Sequence, residues 1–274
     1  MKNLFPKSTI YGVDFSGSKE ACKKIWVCES ISTDKGLLVK DCWNLKEKYG
    51  NLSRDRSFEI LTKVIASSPR AAFGLDFPFG LPKSIIDEDN WIDFIKNFSK
   101  NYGDPYQFRQ RCHDRALKLT GKKELRRYTD IENGSPFPPC NLRLFKQTYY
   151  GINNVLRPLV MSKSAKILPM EDQEISSPWV LEICPASTLK DLDLYFTGYK
   201  GKESTSSELR ETILSKLKKS EFVTGIDSKV WKTSVENAEG DALDSVIAAI
   251  ATYRGLYPDL NLDDIYKLEG YIYV

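Results

Sequence analysis

Hydrophobic and polar positions change rhythm several times along this chain. Continuous apolar, β-branched runs over 9–15, 24–29 and 37–43 predict three short strands, with the turn-like Thr33-Asp34-Lys35-Gly36 before the third. Connections this short favour an antiparallel meander. Over 56–67 the rhythm becomes helical, with Phe58, Leu61, Val64 and Ile65 on one face. A fourth strand, 71–77, is stopped by Pro78, Gly80 and Pro82. The intervening helix should return it parallel to one of the first three.

From 84 to 166 the pattern reads as a helical insertion. Helices are predicted over 89–100, 106–119 and 144–161, with a loop over 134–140 rich in proline. A fifth strand follows over 178–185. An amphipathic helix covers 206–219, with Ser206 or Ser207 as its N-cap. A strongly apolar helix covers 239–253, and 270–274 offers an edge strand. Three antiparallel strands followed by parallel ones with crossover helices describe an α/β protein. The expected fold is a ribonuclease H-like mixed five-stranded sheet flanked by helices. It would form a single domain over 1–274, with the helical insertion after the fourth strand.

Composition changes the picture mainly by exclusion. At 41% hydrophobic and 28% charged residues, the chain can bury a core. Forty Lys and Arg against 37 Asp and Glu leave a net charge of +3, so bulk charge alone does not call for a polyanionic partner. There is one histidine, His113, which excludes metal sites built from two or three His. Any Ser-His-Asp or Cys-His pair would need it. The six cysteines contain no C-x-x-C pair, and several lie in apolar runs, as free thiols do in a reducing compartment. No signal-peptide-like run opens the chain, and no stretch of about 18 apolar residues occurs anywhere. A cytoplasmic protein with no membrane partner is expected.

Chemistry then falls to carboxylates. Asp14 lies near the end of the first strand, Asp76 at the end of the fourth and Glu182 near the end of the fifth. Asp241 and Asp244 open the late apolar helix on one face. Strand ends of like direction meet at one edge of an open α/β sheet, where sites form. A carboxylate within an apolar strand is costly unless compensated. A divalent cation compensates a cluster of them, and hard oxygen ligands without His suit Mg2+ or Mn2+. Two such ions about 4 Å apart can drive phosphodiester hydrolysis. Asp14, Asp76, Glu182, Asp241 and Asp244 are therefore the candidate catalytic acids, with Asp14, Asp76, Asp241 and Asp244 as metal ligands. Taken singly, Asp14 and Asp76 also suit turns, and Asp241 suits a helix first turn.

Excess base is concentrated in one segment. Arg109, Arg111, Arg115, Lys122, Lys123, Arg126 and Arg127 lie near Tyr102, Tyr106, Phe108 and Tyr128. Basic groups beside aromatics suit phosphate contact and base stacking. Arg111 and Arg115, four apart, could clamp one phosphate from a shared helical face. Lys200, in a predicted loop beside Gly201, is a further candidate nucleic-acid contact. A solvated helical face is the plainer reading of such a run.

Four stretches resemble the domain of unknown function 429 family. They are Gly12-Val13-Asp14-Phe15-Ser16, the run from Gly74 through Asp76 to Pro82, Leu181-Glu182-Ile183-Cys184-Pro185, and the run from Gly240 through Asp241 and Asp244 to Ala249. Weaker matches are Arg111-Cys112-His113-Asp114, the Lys200-Gly201 segment leading to Arg210, and the run from Glu269 to Val274. The resemblance implies a ribonuclease H-like nuclease whose site acids are Asp14, Asp76, Glu182, Asp241 and Asp244. The leading expectation is thus a divalent-metal-dependent nuclease or phosphodiesterase acting on nucleic acid. The alternatives are an actin- or sugar-kinase-like ATP-binding phosphotransferase and a non-catalytic nucleic-acid-binding protein.

Overall fold

The protein is seen as a computed structural model that describes residues 7–256 and 262–274. The apolar runs form strands as expected: β1 (Thr9–Asp14), β2 (Trp26–Thr33), β3 (Gly36–Asn44) and β4 (Ala71–Leu75). They are followed by β5 (Lys166–Leu168), β6 (Trp179–Ile183), β7 (Val223–Ile226) and β8 (Ile272–Tyr273). One mixed sheet runs β5-β6-β4-β1-β2-β3-β7, with β8 paired to β6. β1, β2 and β3 form the antiparallel meander. β4 lies parallel to β1, and β6 parallel to β4.

The described sheet therefore has eight strands, not five. β5 and β7 are three and four residues long, too short to establish an alternation, and β7 contains Gly225. The expected edge strand at the C-terminal end contracts to Ile272–Tyr273 and pairs with the end of β6. The long helix expected over 144–161 is interrupted. Phe145–Gly151 passes through a π-helical turn, Ile152–Leu156, into Arg157–Ser162. Pro158 has no N–H for the Asn154 carbonyl, and the Thr62 hydroxyl donates to that carbonyl at 3.4 Å instead.

Side-chain parity sorts the core onto the two faces of the sheet. One cluster gathers Val13, Phe15, Phe73, Leu75 and Val180 beneath the Arg54–Ala66, Trp91–Asn101 and Pro105–Thr120 helices. The other gathers Ile10, Ala72, Leu181 and Ile183 beneath the Ser204–Lys218 and Asp241–Arg254 helices. The last helix is buried along nearly its whole length and crosses β1 and β4 closely. A Cβ at Gly12 would lie 2.1 Å from the Ser245 carbonyl oxygen, and one at Gly74 would lie 1.9 Å from Thr252 Oγ1. Glycine at these two positions is what lets the helix approach. Among the described residues no helix is long and apolar enough to cross a membrane.

Candidate active site

Gly12 and Gly74 each precede an aspartate by two residues, and that spacing puts each aspartate on its glycine's face. Val13 pairs with Leu75 in the parallel ladder, and the Asp76 amide donates to the Val13 carbonyl. Asp14 and Asp76 are thus adjacent at the ends of β1 and β4, facing the late helix. That helix begins at Asp241 and turns once to Asp244, so four carboxylates converge where strand ends meet a helix N-terminus. The positive end of the helix dipole favours negative charge there.

The electrostatics are those of crowded acids. Asp14 is 9 % exposed. Burial, then Asp241, Asp244 and Asp76, hold its carboxyl well above the usual range, against the opposing Lys200 charge. Burial and the Asp244 charge push Asp76 up to about 8. Burial also raises Asp241, opposed by Lys200 and Lys24.

Two groups from the segment before the Ser204–Lys218 helix balance this charge. Lys200 Nζ lies 2.5 Å from Asp244 Oδ2, and the Tyr199 hydroxyl donates to Asp244 Oδ1 at 2.8 Å. Burial opposes the Lys200 charge, but Asp244 and Asp14 outweigh it and raise its pKa. Arg210 holds this segment in place. It is 2 % exposed and donates to the carbonyls of Tyr199 at 2.6 Å, Gly201 at 3.1 Å and Val235 at 2.9 Å. Gln147 reaches in from the helical insertion and donates to the Asp76 carbonyl.

Glu182 lines the same cavity and its charge adds to the rise of Asp76, but its carboxylate is turned away from the other four. It pairs with Leu75 rather than with Asp76, so it projects to the opposite face of the sheet from Asp14 and Asp76. There its carboxylate accepts from Arg127 at 2.5 and 2.8 Å and from the Phe79 amide at 2.8 Å. Arg127 is 1 % exposed, lines the cavity with Glu182 and is shared between Glu182 and Asp130. A buried guanidinium with both carboxylates satisfied braces that wall.

The rest of the basic segment is also largely committed. Arg115 forms a forked pair with Asp87, and Arg111 donates to the Asn101 carbonyl, so the two do not clamp one phosphate. Arg126 donates to the Ser135 and Pro136 carbonyls at 2.6 and 3.1 Å, and Arg109 lies over the Phe145 ring. Lys122 and Lys123 are exposed. His113 lies beside Glu124 and Cys140.

A cavity of about 490 Å³ opens beside the carboxylates, and Asp76, Asp244 and Lys200 lie in its wall. Its other walls come from the loop around Ser135–Phe137 and from the segment 195–200. Arg143, which lies outside the basic segment singled out in the sequence, also lines it. Nothing local in the sequence marks it.

Crowded, mutually raised carboxylates with no His fit a hard divalent cation by donor type. Among the described residues no group of three or more His, Cys, Asp or Glu is placed so that it could hold a metal ion as the side chains stand. The Lys200 ammonium offsets part of the carboxylate charge in this arrangement. No protein-family model, curated protein or solved structure matched this chain.

Proposed function

We propose that the protein is a divalent-metal-dependent phosphodiesterase with a ribonuclease H-like core, and that its substrate is nucleic acid. The convergence of Asp14, Asp76, Asp241 and Asp244 beside an open cavity carries this reading. The meander followed by parallel strands is the order expected of that core. Asp14, Asp76, Asp241 and Asp244 would hold the ion, Mg2+ or Mn2+ by donor type. When bound, such an ion activates water and stabilises charge at a phosphoryl group.

The chain's own groups have distinct tasks around it. Tyr199 orients the Asp244 carboxylate, and Gln147 fixes the end of β4. Lys200 is paired with Asp244, and with an ion neutralising the cluster its charge would be free for the substrate phosphate. The Arg127–Glu182–Asp130 network keeps rigid the part of the cavity wall that Arg127 and Glu182 form.

The test is hydrolysis of bis(p-nitrophenyl) phosphate and of labelled DNA and RNA strands with Mg2+ or Mn2+. Activity should require the ion and fall at least about 100-fold in Asp14→Asn and Asp241→Asn. Metal-independent turnover, or full activity in Asp14→Asn, would sink the reading. Saturable ATP binding with no hydrolysis of any diester would favour a phosphotransferase instead.

A further inference from the structure

The cavity beside the carboxylates is unusually aromatic for a site that handles charge. Phe77, Phe137, Tyr195, Phe196 and Tyr199 line it, together with Arg143 and Lys200. Tyr195 is 41 % exposed. Among the described residues, Phe137 and Tyr195 pair with no other aromatic ring. Each has a cation near it: the Arg143 guanidinium is 5.3 Å from the Phe137 ring centre, and the Lys190 ammonium is 5.2 Å from that of Tyr195. The Arg143 guanidinium is exposed and makes no ion pair with a described carboxylate.

The walls are braced before any ligand arrives. Lys190 donates to the Gly134 carbonyl at 2.6 Å, and Arg126 holds the carbonyls of Ser135 and Pro136. On the other side Arg210 fixes the carbonyls of Tyr199 and Gly201. At about 490 Å³ the cavity is the size that encloses a small molecule, ~300–1,000 Å³. It can surround one base and its sugar. A base within a duplex is stacked on both faces and cannot enter.

We infer that this cavity seats one unstacked nucleotide of a single-stranded nucleic acid. Its base lies against Phe137 and Tyr195, and its phosphate lies beside Arg143, within reach of Lys200 once an ion neutralises the carboxylate cluster. Flat aromatic rings accept any base, and adjacent cations take the phosphate, so the recognition is by strand form more than by sequence. The inference deepens the phosphodiesterase reading and rests on it for the fate of the phosphate, but not for binding.

The test is fluorescence anisotropy with a labelled 12-nucleotide thymidylate strand and a labelled hairpin duplex. The full chain carries Asp14→Asn, and EDTA is present, so that nothing is cleaved. The single strand should bind at least tenfold more tightly than the duplex. Adding Tyr195→Ala, at an exposed position that tolerates truncation, should weaken single-strand binding roughly 5- to 150-fold. Adding Arg143→Ala should reduce the slope of log affinity against log salt by about 0.7. Equal or tighter duplex binding, or single-strand binding unchanged by Tyr195→Ala, would overturn the inference. Binding of thymidine monophosphate without binding of the strand would also overturn it. If the strand preference and the Tyr195 effect hold while the unsubstituted chain hydrolyses no phosphodiester, the pocket assignment stands and the catalytic reading alone falls.

Discussion

Asp76 shows most clearly how the site stores charge. Its carboxyl is pushed up to about 8 by burial and by Asp244. The folded protein therefore holds a proton that the unfolded chain releases near the ordinary value of 3.8. Stability should be fullest below about pH 4 as far as this group is concerned, and should fall as pH rises towards 8. Asp76→Asn should flatten that fall and raise stability at pH 8 by about 1–3 kcal/mol, read from urea denaturation at pH 5 and pH 8. Arg127 should behave in the opposite sense. Arg127→Met strands Glu182 and Asp130 in the interior and should cost about 3–5 kcal/mol in the same assay. At this scale the chain was legible where chemistry and parity agreed. Asp14 and Asp76 carried both signals, because each follows a glycine by two residues in a strand. Glu182 had the chemistry without the parity: being near a strand end does not say which face a side chain takes, and that depends on a register the sequence leaves open. Arg127 looked like its basic neighbours, since nothing local marks the one that will be buried.

The decisive element is the helix Asp241–Arg254. Its apolar sequence made it easy to read, and its two opening acids suggested its role. What brings those acids to the sheet is the missing Cβ at Gly12 and Gly74. Gly12→Ala would push a methyl group into the helix backbone at 2.1 Å and should cost about 3 kcal/mol in urea denaturation. It should weaken cation binding as well, by moving Asp241 and Asp244 away from Asp14. An alanine at Gly50, where nothing lies within 4 Å of a Cβ, serves as the comparison for crowding. That position has φ +80, so any cost there is backbone strain without displacement of the helix. The short strands β5 and β7 were not legible, because three or four residues carry no periodic signal and form only when a neighbouring strand is already in place. The helical insertion was legible as helix, but its contributions to the site, Gln147 and Arg143, were not. They are set by how the insertion packs on the strand ends.

Across the whole molecule, near-neutral totals conceal a local arrangement. Carboxylates crowd one end of the sheet, and the cations in the cavity wall beside them are Lys200, Arg143 and, alone from the basic run between 109 and 127, Arg127. Much of that run is spent on the protein's own carbonyls and carboxylates. The central claim is that Asp14, Asp76, Asp241 and Asp244 act together on a divalent cation. Calorimetric titration of Mn2+ into the full chain at pH 7.5 tests it most directly. Saturable binding is expected, with proton release seen as a dependence of the heat on the buffer, because the Asp76 carboxyl, pushed up to about 8, must lose its proton to take the ion. Losing a ligand should cost at least the ~10–100-fold in affinity typical of losing an outer support, so Asp14→Asn and Asp241→Asn should each weaken binding by that much or more. Mn2+ affinity unchanged in both variants would contradict the account.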